Sequence, residues 1–308
     1  MTARLRLALV VPFLDEERHL GELLSSLEAQ TRRPDRLLLV DDGSTDDSGA
    51  IAMAFSRRHP WAAVARRPTR PRSPDRLAGG SALEAFAWGV DRLDPGWDVV
   101  GKVDGDLRLT PATLETLETA FLRDPTLGLA GAFLSAPDAA GHPVRQRLPR
   151  DHVEGETKFY RHTCWQDIAP LPAMLGWDTI DVVRARLRGW RTQSFEIPGG
   201  DPFHLRPMGA HDGLLRGYRR WGRCAWSFGE HPLHLVAVAV QRARDEPPLL
   251  GSLNYLAGWA GAAVLREPRA ESEVRQYVRR DQLRRLRRRA VHAIQPSARR
   301  AAGEGRPA

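Results

Sequence analysis

Three predominantly apolar runs in the first third of the chain end abruptly in proline or acidic residues. Leu5 to Val11 is broken only by Arg6 and stops at Pro12, Leu37 to Val40 runs into Asp41-Asp42-Gly43, and Trp97 to Val103 runs into Asp104-Gly105-Asp106. Short apolar runs without alternation read as strands buried on both faces. Between them the polarity changes to a helical period. Leu20, Leu23, Leu24 and Leu27 share one face, with Asp15 expected as N-cap and Glu16 and Glu17 at the positive end of the helix dipole. A second helix is expected from a Ser44 or Thr45 cap to about Arg58, a third strand over Trp61 to Ala65, and a helix through Leu83, Phe86, Ala87 and Val90. Thr110-Pro111 reads as another helix start, a capping hydroxyl before a first-turn proline. The order β-α-β-α-β-α-β predicts an α/β fold with a Rossmann-like, doubly wound, mostly parallel sheet.

Beyond Leu127 to Leu134, one more expected strand, the pattern loosens. Loops carrying His142, His152 and His162 alternate with aromatic positions, as in Lys158 to His162, and short helices follow from Leu214. Arg66 to Arg76 reads as a basic loop. Leu249 to Leu265 is uncharged but contains four glycine or asparagine positions and falls short of the ~20 residues of a spanning helix, so a buried or interfacial helix is expected. Glu273 to Arg289 reads as a basic helix, and Ser297 to Ala308 as a disordered tail. The expected division is 1–215 for the α/β domain, with 1–110 and 111–215 as its two halves, and 216–308 for a helical, basic C-terminal extension.

Composition narrows the classes. A chain of 308 residues can bury a full core. Its formal charge of +8 is concentrated late in the sequence. Arg284 to Arg289 therefore suits a solvated helix face, peripheral contact with an anionic membrane, or a nucleic-acid backbone; no nucleic-acid reading module accompanies it, and no nucleic acid is expected. Cys164 and Cys224 are too few and too isolated for a disulfide framework or a zinc site. The N-terminus lacks an apolar signal segment, so a cytoplasmic location is expected, extending to the inner face of the plasma membrane.

The strand ends carry the chemistry. Asp104-Gly105-Asp106 spaces two carboxylates so that one reaches a ribose or metal and the other ligates a hard divalent cation on a diphosphate. Pro12, Glu16, Asp41 and Asp42 leave neighbouring strands, where a parallel sheet opens its crevice. An EF-hand reading of Asp41 to Gly49 fails on spacing and on the missing twelfth-position Glu.

Val10 to Glu17, Leu39 to Asp46 and Val103 to Asp106 together resemble the N-terminal half of glycosyltransferase family 2, in its order and approximate spacing. The resemblance implies the GT-A fold and an inverting transfer from a nucleoside-diphosphate sugar, assisted by manganese or magnesium. It further implies that Pro12, Glu16, Asp41, Asp42, Gly79, Gly80 and Asp104 bind the nucleotide sugar and that Asp106 is the main metal ligand, with His204 helping to hold the metal and Arg206 suited to clamp phosphate. Gly79-Gly80-Ser81 departs from the family's commoner Asn- and Lys-containing segment. Gly176 to Trp190 matches the region that supplies the base but lacks the usual Glu-Asp pair; Asp178 and Asp181, three apart, could share one helical face, so either could serve as base, with Asp181 favoured and Asp178 as its partner. The expected acceptor is a hydroxyl of a glycan or a lipid-linked glycan. Two rivals differ in class. A sugar-nucleotide nucleotidyltransferase calls for a Gly-rich N-terminal loop, and Leu7 to Glu17 contains no glycine. A non-catalytic binding protein would act through the basic tail alone.

Overall fold

All seven residues of the first strand, Leu7–Phe13, are buried, and its side chains divide by parity between two cores. Leu7, Leu9, Val11 and Phe13 join one core, while Ala8 and Val10 join the other. That division is what a central strand covered on both faces requires. The structure is a computed structural model that describes residues 4–68, 80–138, 141–145, 148–206, 213–244 and 248–294.

The chain begins β1 (Leu7–Phe13), α1 (Leu20–Glu28), β2 (Arg36–Asp41), α2 (Ser48–Arg58), β3 (Ala62–Arg66), α3 (Ser81–Val90) and β4 (Val99–Val103). It continues β5 (Leu107–Arg108), α4 (Thr113–Arg123), β6 (Leu127–Ala132), β7 (Ser135–Pro137), β8 (Pro143–Arg145), β9 (Thr157–Arg161), α5 (His162–Ile168) and α6 (Trp177–Leu187). It ends β10 (Arg191–Phe195), β11 (Phe203–His204), α7 (Leu214–Ser227), α8 (Pro232–Arg242), α9 (Leu250–Val264) and α10 (Ser272–Ile294).

Seven strands form the main sheet in the order β10-β6-β9-β4-β1-β2-β3. Its pairings are parallel except around β9, which runs antiparallel to both β4 and β6. Side chains of α1, α2 and α4 pack one face, and those of α3, α5 and α6 pack the other. A smaller sheet, β5-β11-β7-β8, brings β11 antiparallel to β5, pairing His204 with Leu107 directly after the Asp104-Gly105-Asp106 turn. The strand order reverses between β1 and β4, so a crevice opens at their carboxyl ends.

Local starts differ from the pattern-based expectation. Asp15 does not cap α1: its φ is 52°, and a turn through Glu16 to His19 intervenes before the helix begins at Leu20. Helix α2 begins at Ser48 because Ser44, Thr45 and Asp46 are engaged across the loop with residues 15–17. The Thr110 hydroxyl donates to Gly200 O instead of capping α4. Lys158 to His162, for which the pattern specified no element, supplies the internal strand β9 and the start of α5.

The chain divides into two compact units, 1–217 and 218–308. The second is helical, with Ala225, Leu235, Ala239 and Tyr255 at its core and Trp221, Phe228 and Trp259 packed around them. The basic segment expected from Glu273 lies within α10, and the Ser297 to Ala308 tail lies outside the described residues.

Candidate active site

A set of hydrogen bonds zips the segment after β1 to the segment after β2. The N–H groups of Asp15, Glu16 and Glu17 donate to Ser44 Oγ (3.1 Å), Ser48 Oγ (2.7 Å) and Asp46 Oδ2 (3.0 Å). In return, Thr45 N–H donates to Asp15 Oδ1 at 2.8 Å and Asp47 N–H to Glu17 Oε2 at 3.2 Å. The result fixes the Glu16 backbone at the crevice floor. Pro12 is buried inside β1, in register with Val40.

The two acids ending β2 have separate surroundings. Asp41 is buried, and its Oδ1 accepts from the N–H groups of Gly43 (3.1 Å) and Ser44 (2.7 Å), which shapes the turn into the next segment. Arg66 Nε stands 3.7 Å from Asp41 Oδ2. Asp42 accepts from Arg67 Nη1 at 2.6 Å. Gly80 has φ 63°, and a Cβ there would meet the Ala173 backbone at 2.7 Å, so only glycine fits this approach. Gly79 lies outside the described residues, as do most of Arg66 to Arg76.

The acids after β4 meet a cationic counterpart from β11. Arg206 donates from Nε to Asp106 Oδ2 at 2.7 Å and from Nη2 to Glu16 Oε1 at 2.6 Å, tying the ends of β1 and β4 together. His204 Nε2 stands 3.3 Å from the same Asp106 oxygen, while its Nδ1 lies 2.6 Å from Arg206 O. Burial alone would raise the Asp106 carboxyl, but His204 and Arg206 outweigh it and hold the pKa below its ordinary value. Burial raises Glu16, with Arg206 opposing and Asp106 and Asp104 adding to the rise. One oxygen of Glu16, Oε2, is buried without a hydrogen-bond partner in the structure. Asp104 pairs with Lys102 and donates its N–H to Glu156 O at 3.0 Å; burial pushes its carboxyl up.

The donor set has the chemistry of a partial divalent-metal site. Among the described residues no group of three His, Cys, Asp or Glu side chains is arranged to hold one. Asp106 and His204 nevertheless present an oxygen and an imidazole nitrogen 3.3 Å apart, close to the ~3 Å between adjacent ligands of a cation with bonds near ~2.1 Å. An Nδ1–H held by the Arg206 carbonyl would leave Nε2 as a lone-pair donor, the usual orientation of a metal-binding imidazole. Hard cations take phosphate and water oxygens in their other positions, so two protein donors fit a metal completed by a diphosphate.

The expected catalytic pair separates. Asp181 has no exposed surface, and it accepts from Lys158 Nζ at 2.8 and 3.0 Å, Tyr160 OH at 2.6 Å and Val182 N–H at 2.5 Å. In this arrangement its carboxylate presents no surface to an acceptor hydroxyl. Of the two expected carboxylates, Asp181 is thus the enclosed one, held against β9 at the start of α6. Asp178 stands one residue into α6, after Gly176 at φ 78°, and is half-buried. Its carbonyl accepts from Lys158 Nζ at 2.6 Å, which fixes its position. Gly155 permits the approach, since a Cβ there would come within 3.2 Å of the Asp178 Cβ.

Sequence reasoning missed Glu154 and Glu156, just before β9. Burial, reinforced by Glu156, Asp178 and Asp201, pushes Glu154 up to about 9, and its Oε2 has no hydrogen-bond partner. Burial and Asp104 likewise raise Glu156. His152 is lowered to about 4 by burial and then by Lys158. The alternation Glu154, Glu156, Lys158 was the available signal, a strand period carried by charged residues.

Residues 8–172 match the family model described as Glycosyl transferase family 2. The chain is 30% identical over 139 residues to the N-acetylglucosaminyl-diphospho-decaprenol L-rhamnosyltransferase of Mycobacterium tuberculosis, a match covering 42% of each chain, so it spans less than half of that relative's length. Among solved structures it resembles the mannosyltransferase PcManGT from Pyrobaculum calidifontis in complex with GDP-Man and Mn2+, at TM-score 0.56 and 16% identity over 97% of this chain and 83% of that one. It also resembles residues 1–349 of S. aureus TarS in complex with UDP, at TM-score 0.50 and 17% identity over 84% of this chain and 72% of that one. At these identities the structural likeness speaks to fold alone.

Proposed function

Because the chain belongs to glycosyl transferase family 2 and has the GT-A fold, we propose that it moves a sugar from a nucleoside-diphosphate sugar to a hydroxyl of a glycan or lipid-linked acceptor. The observation that carries this reading is the convergence of Glu16, Asp106, His204 and Arg206 at the carboxyl ends of β1 and β4. The rhamnosyltransferase relative, whose name includes a diphospho-decaprenol glycan, supports the lipid-linked class of acceptor.

In this reading the ends of β1 and β2, with Asp41, Asp42 and Gly80, receive the base and ribose, and Asp104 faces the ribose and diphosphate. Asp106 and His204 would hold manganese or magnesium, and the metal would supply Lewis-acid stabilisation of charge on the departing diphosphate. Arg206 is placed to turn from the two carboxylates toward that diphosphate as a charge-assisted clamp. Asp178 takes the proton of the acceptor hydroxyl as its oxygen attacks the anomeric carbon, and the nucleoside diphosphate leaves from the opposite face. This single displacement inverts the anomeric configuration. Residues 1–217 contain all these groups, which supports assigning catalysis to the first unit.

The test is release of nucleoside diphosphate from a panel of nucleotide sugars, with manganese and simple or lipid-linked glycan acceptors. The reading predicts acceptor-dependent release by wild type and a loss of about a hundredfold or more in Asp178→Asn. Equal release by the two proteins would remove Asp178 as base.

A further inference from the structure

We infer that the helical second unit docks on an anionic lipid bilayer through the outer faces of α8 and α9, an inference independent of the donor reading. Eight of the thirteen large hydrophobic side chains exposed among the described residues lie in this unit. They follow helical stripes. On α8, Leu233, Val236 and Val240 are 63%, 56% and 66% exposed, at spacings of three and four. On α9, Leu250, Leu253, Ala257, Ala260 and Val264 form an exposed stripe at spacings of three, four, three and four. Neither α9 nor the Pro232 to Val240 stretch of α8 contains a charged residue. The two helices are neighbours, joined by the Ser252 hydroxyl donating to Ala239 O at 2.6 Å.

The opposite faces explain why these side chains are not simply core. Leu235 and Ala239 of α8 and Tyr255 of α9 already fill the unit's interior. The outer stripes are additional apolar surface, which monomeric soluble proteins rarely concentrate.

Charge identifies the occupant. Helix α10 is fastened beside the start of α8: His231 N–H donates to Gln282 Oε1 at 2.8 Å, and Arg279 Nε to Gly229 O at 3.1 Å. From 279 to 288 its exposed residues are all arginine, namely Arg279, Arg280, Arg284, Arg287 and Arg288. Exposed Arg244 and Arg266 follow the ends of α8 and α9. An uncharged stripe rimmed by arginine suits an interface of acyl chains and anionic headgroups. A two-fold contact with a second copy would bring like arginine rims together. No helix among the described residues is long and apolar enough to cross a membrane, so the helices would lie in the interfacial plane.

Flotation of the full-length protein with phosphatidylcholine vesicles, with and without phosphatidylglycerol, tests this inference. Wild type is expected to float with the anionic vesicles and to release in high salt. The double variant Val236→Glu with Leu253→Glu should lower partitioning by about tenfold or more, and Arg280→Glu with Arg284→Glu by about tenfold or more. Both variants should keep the wild-type thermal transition. Failure of wild type to float, or undiminished flotation of the Val236 and Leu253 variant, would overturn the inference. So would a wild-type dimer that the same substitutions convert to monomer on a sizing column, because the surface would then belong to a second copy.

Discussion

Lys102 on β4 and Lys158 on β9 are direct cross-strand partners, and both are buried. Their ammonium groups lie 5.5 and 5.2 Å from the Trp177 ring, and each is paired with its own carboxylate, Asp104 for Lys102 and Asp181 for Lys158. Two opposed cations on adjacent strands are destabilising unless each is neutralised. Lys102 thereby orients an acid of the donor site, and Lys158 holds the start of α6, where Asp178 stands.

Removing one partner of the inner pair should therefore cost stability before it touches chemistry. Lys158→Met is expected to lose about 3–5 kcal/mol, because Asp181 is left charged, buried and uncompensated. Adding Asp181→Leu should restore most of the loss. Denaturant unfolding of the single and double variants measures this. A stable Asp181→Asn protein lacking turnover would instead return Asp181 to the role of base.

The carboxylate of Glu154 gives a pH dependence of definite sign. Its folded-state pKa of about 9 lies above its ordinary value of 4.5, so between those values the folded protein binds more protons than the unfolded chain. Its stabilising contribution is fully present below 4.5 and is lost as pH rises toward 9. Glu154→Gln should be the more stable protein at pH 8 by on the order of 2 kcal/mol and should show a flatter profile from pH 5 to 8. Denaturation midpoints across that range would contradict this if the two profiles ran parallel.

Arg206 is expected to act on binding more than on the fold. Arg206→Ala removes the clamp proposed for the diphosphate and should weaken nucleoside-diphosphate affinity by about tenfold or more, the scale of a lost charge-assisted hydrogen bond. Calorimetric titration in the presence of manganese reads the effect. Unchanged affinity would confine Arg206 to bridging Glu16 and Asp106.

Much of this architecture was legible because the inner parallel strands and their helices obey simple patterns. The apolar runs of β1, β2 and β4 and the leucine period of α1 specify their elements directly, and the acids that end those strands fall at the crevice. Strand β9 was not legible because Lys158 is buried there on a residue type that rarely is; its partner Asp181 lies 23 residues away, and only the fold joins them. The same separation hid the contact between Asp181 and Lys158, since the spacing of Asp181 from Asp178 suggested only a shared helical face. Arg206 and Glu16 are 190 residues apart, so chemistry could nominate each but only the sheet order could bring them together.

The central claim is a metal-dependent nucleotide site built on Asp106. It is tested most directly by thermal unfolding of wild type and Asp106→Ala against nucleoside diphosphates and diphosphate sugars, each with and without manganese. At least one nucleotide should raise the wild-type transition only when manganese is present, by roughly 3 kcal/mol of stabilisation at a hundredfold excess over Kd, and Asp106→Ala should lose the shift while remaining folded. A shift that is independent of manganese, or equal in the two proteins, would contradict it.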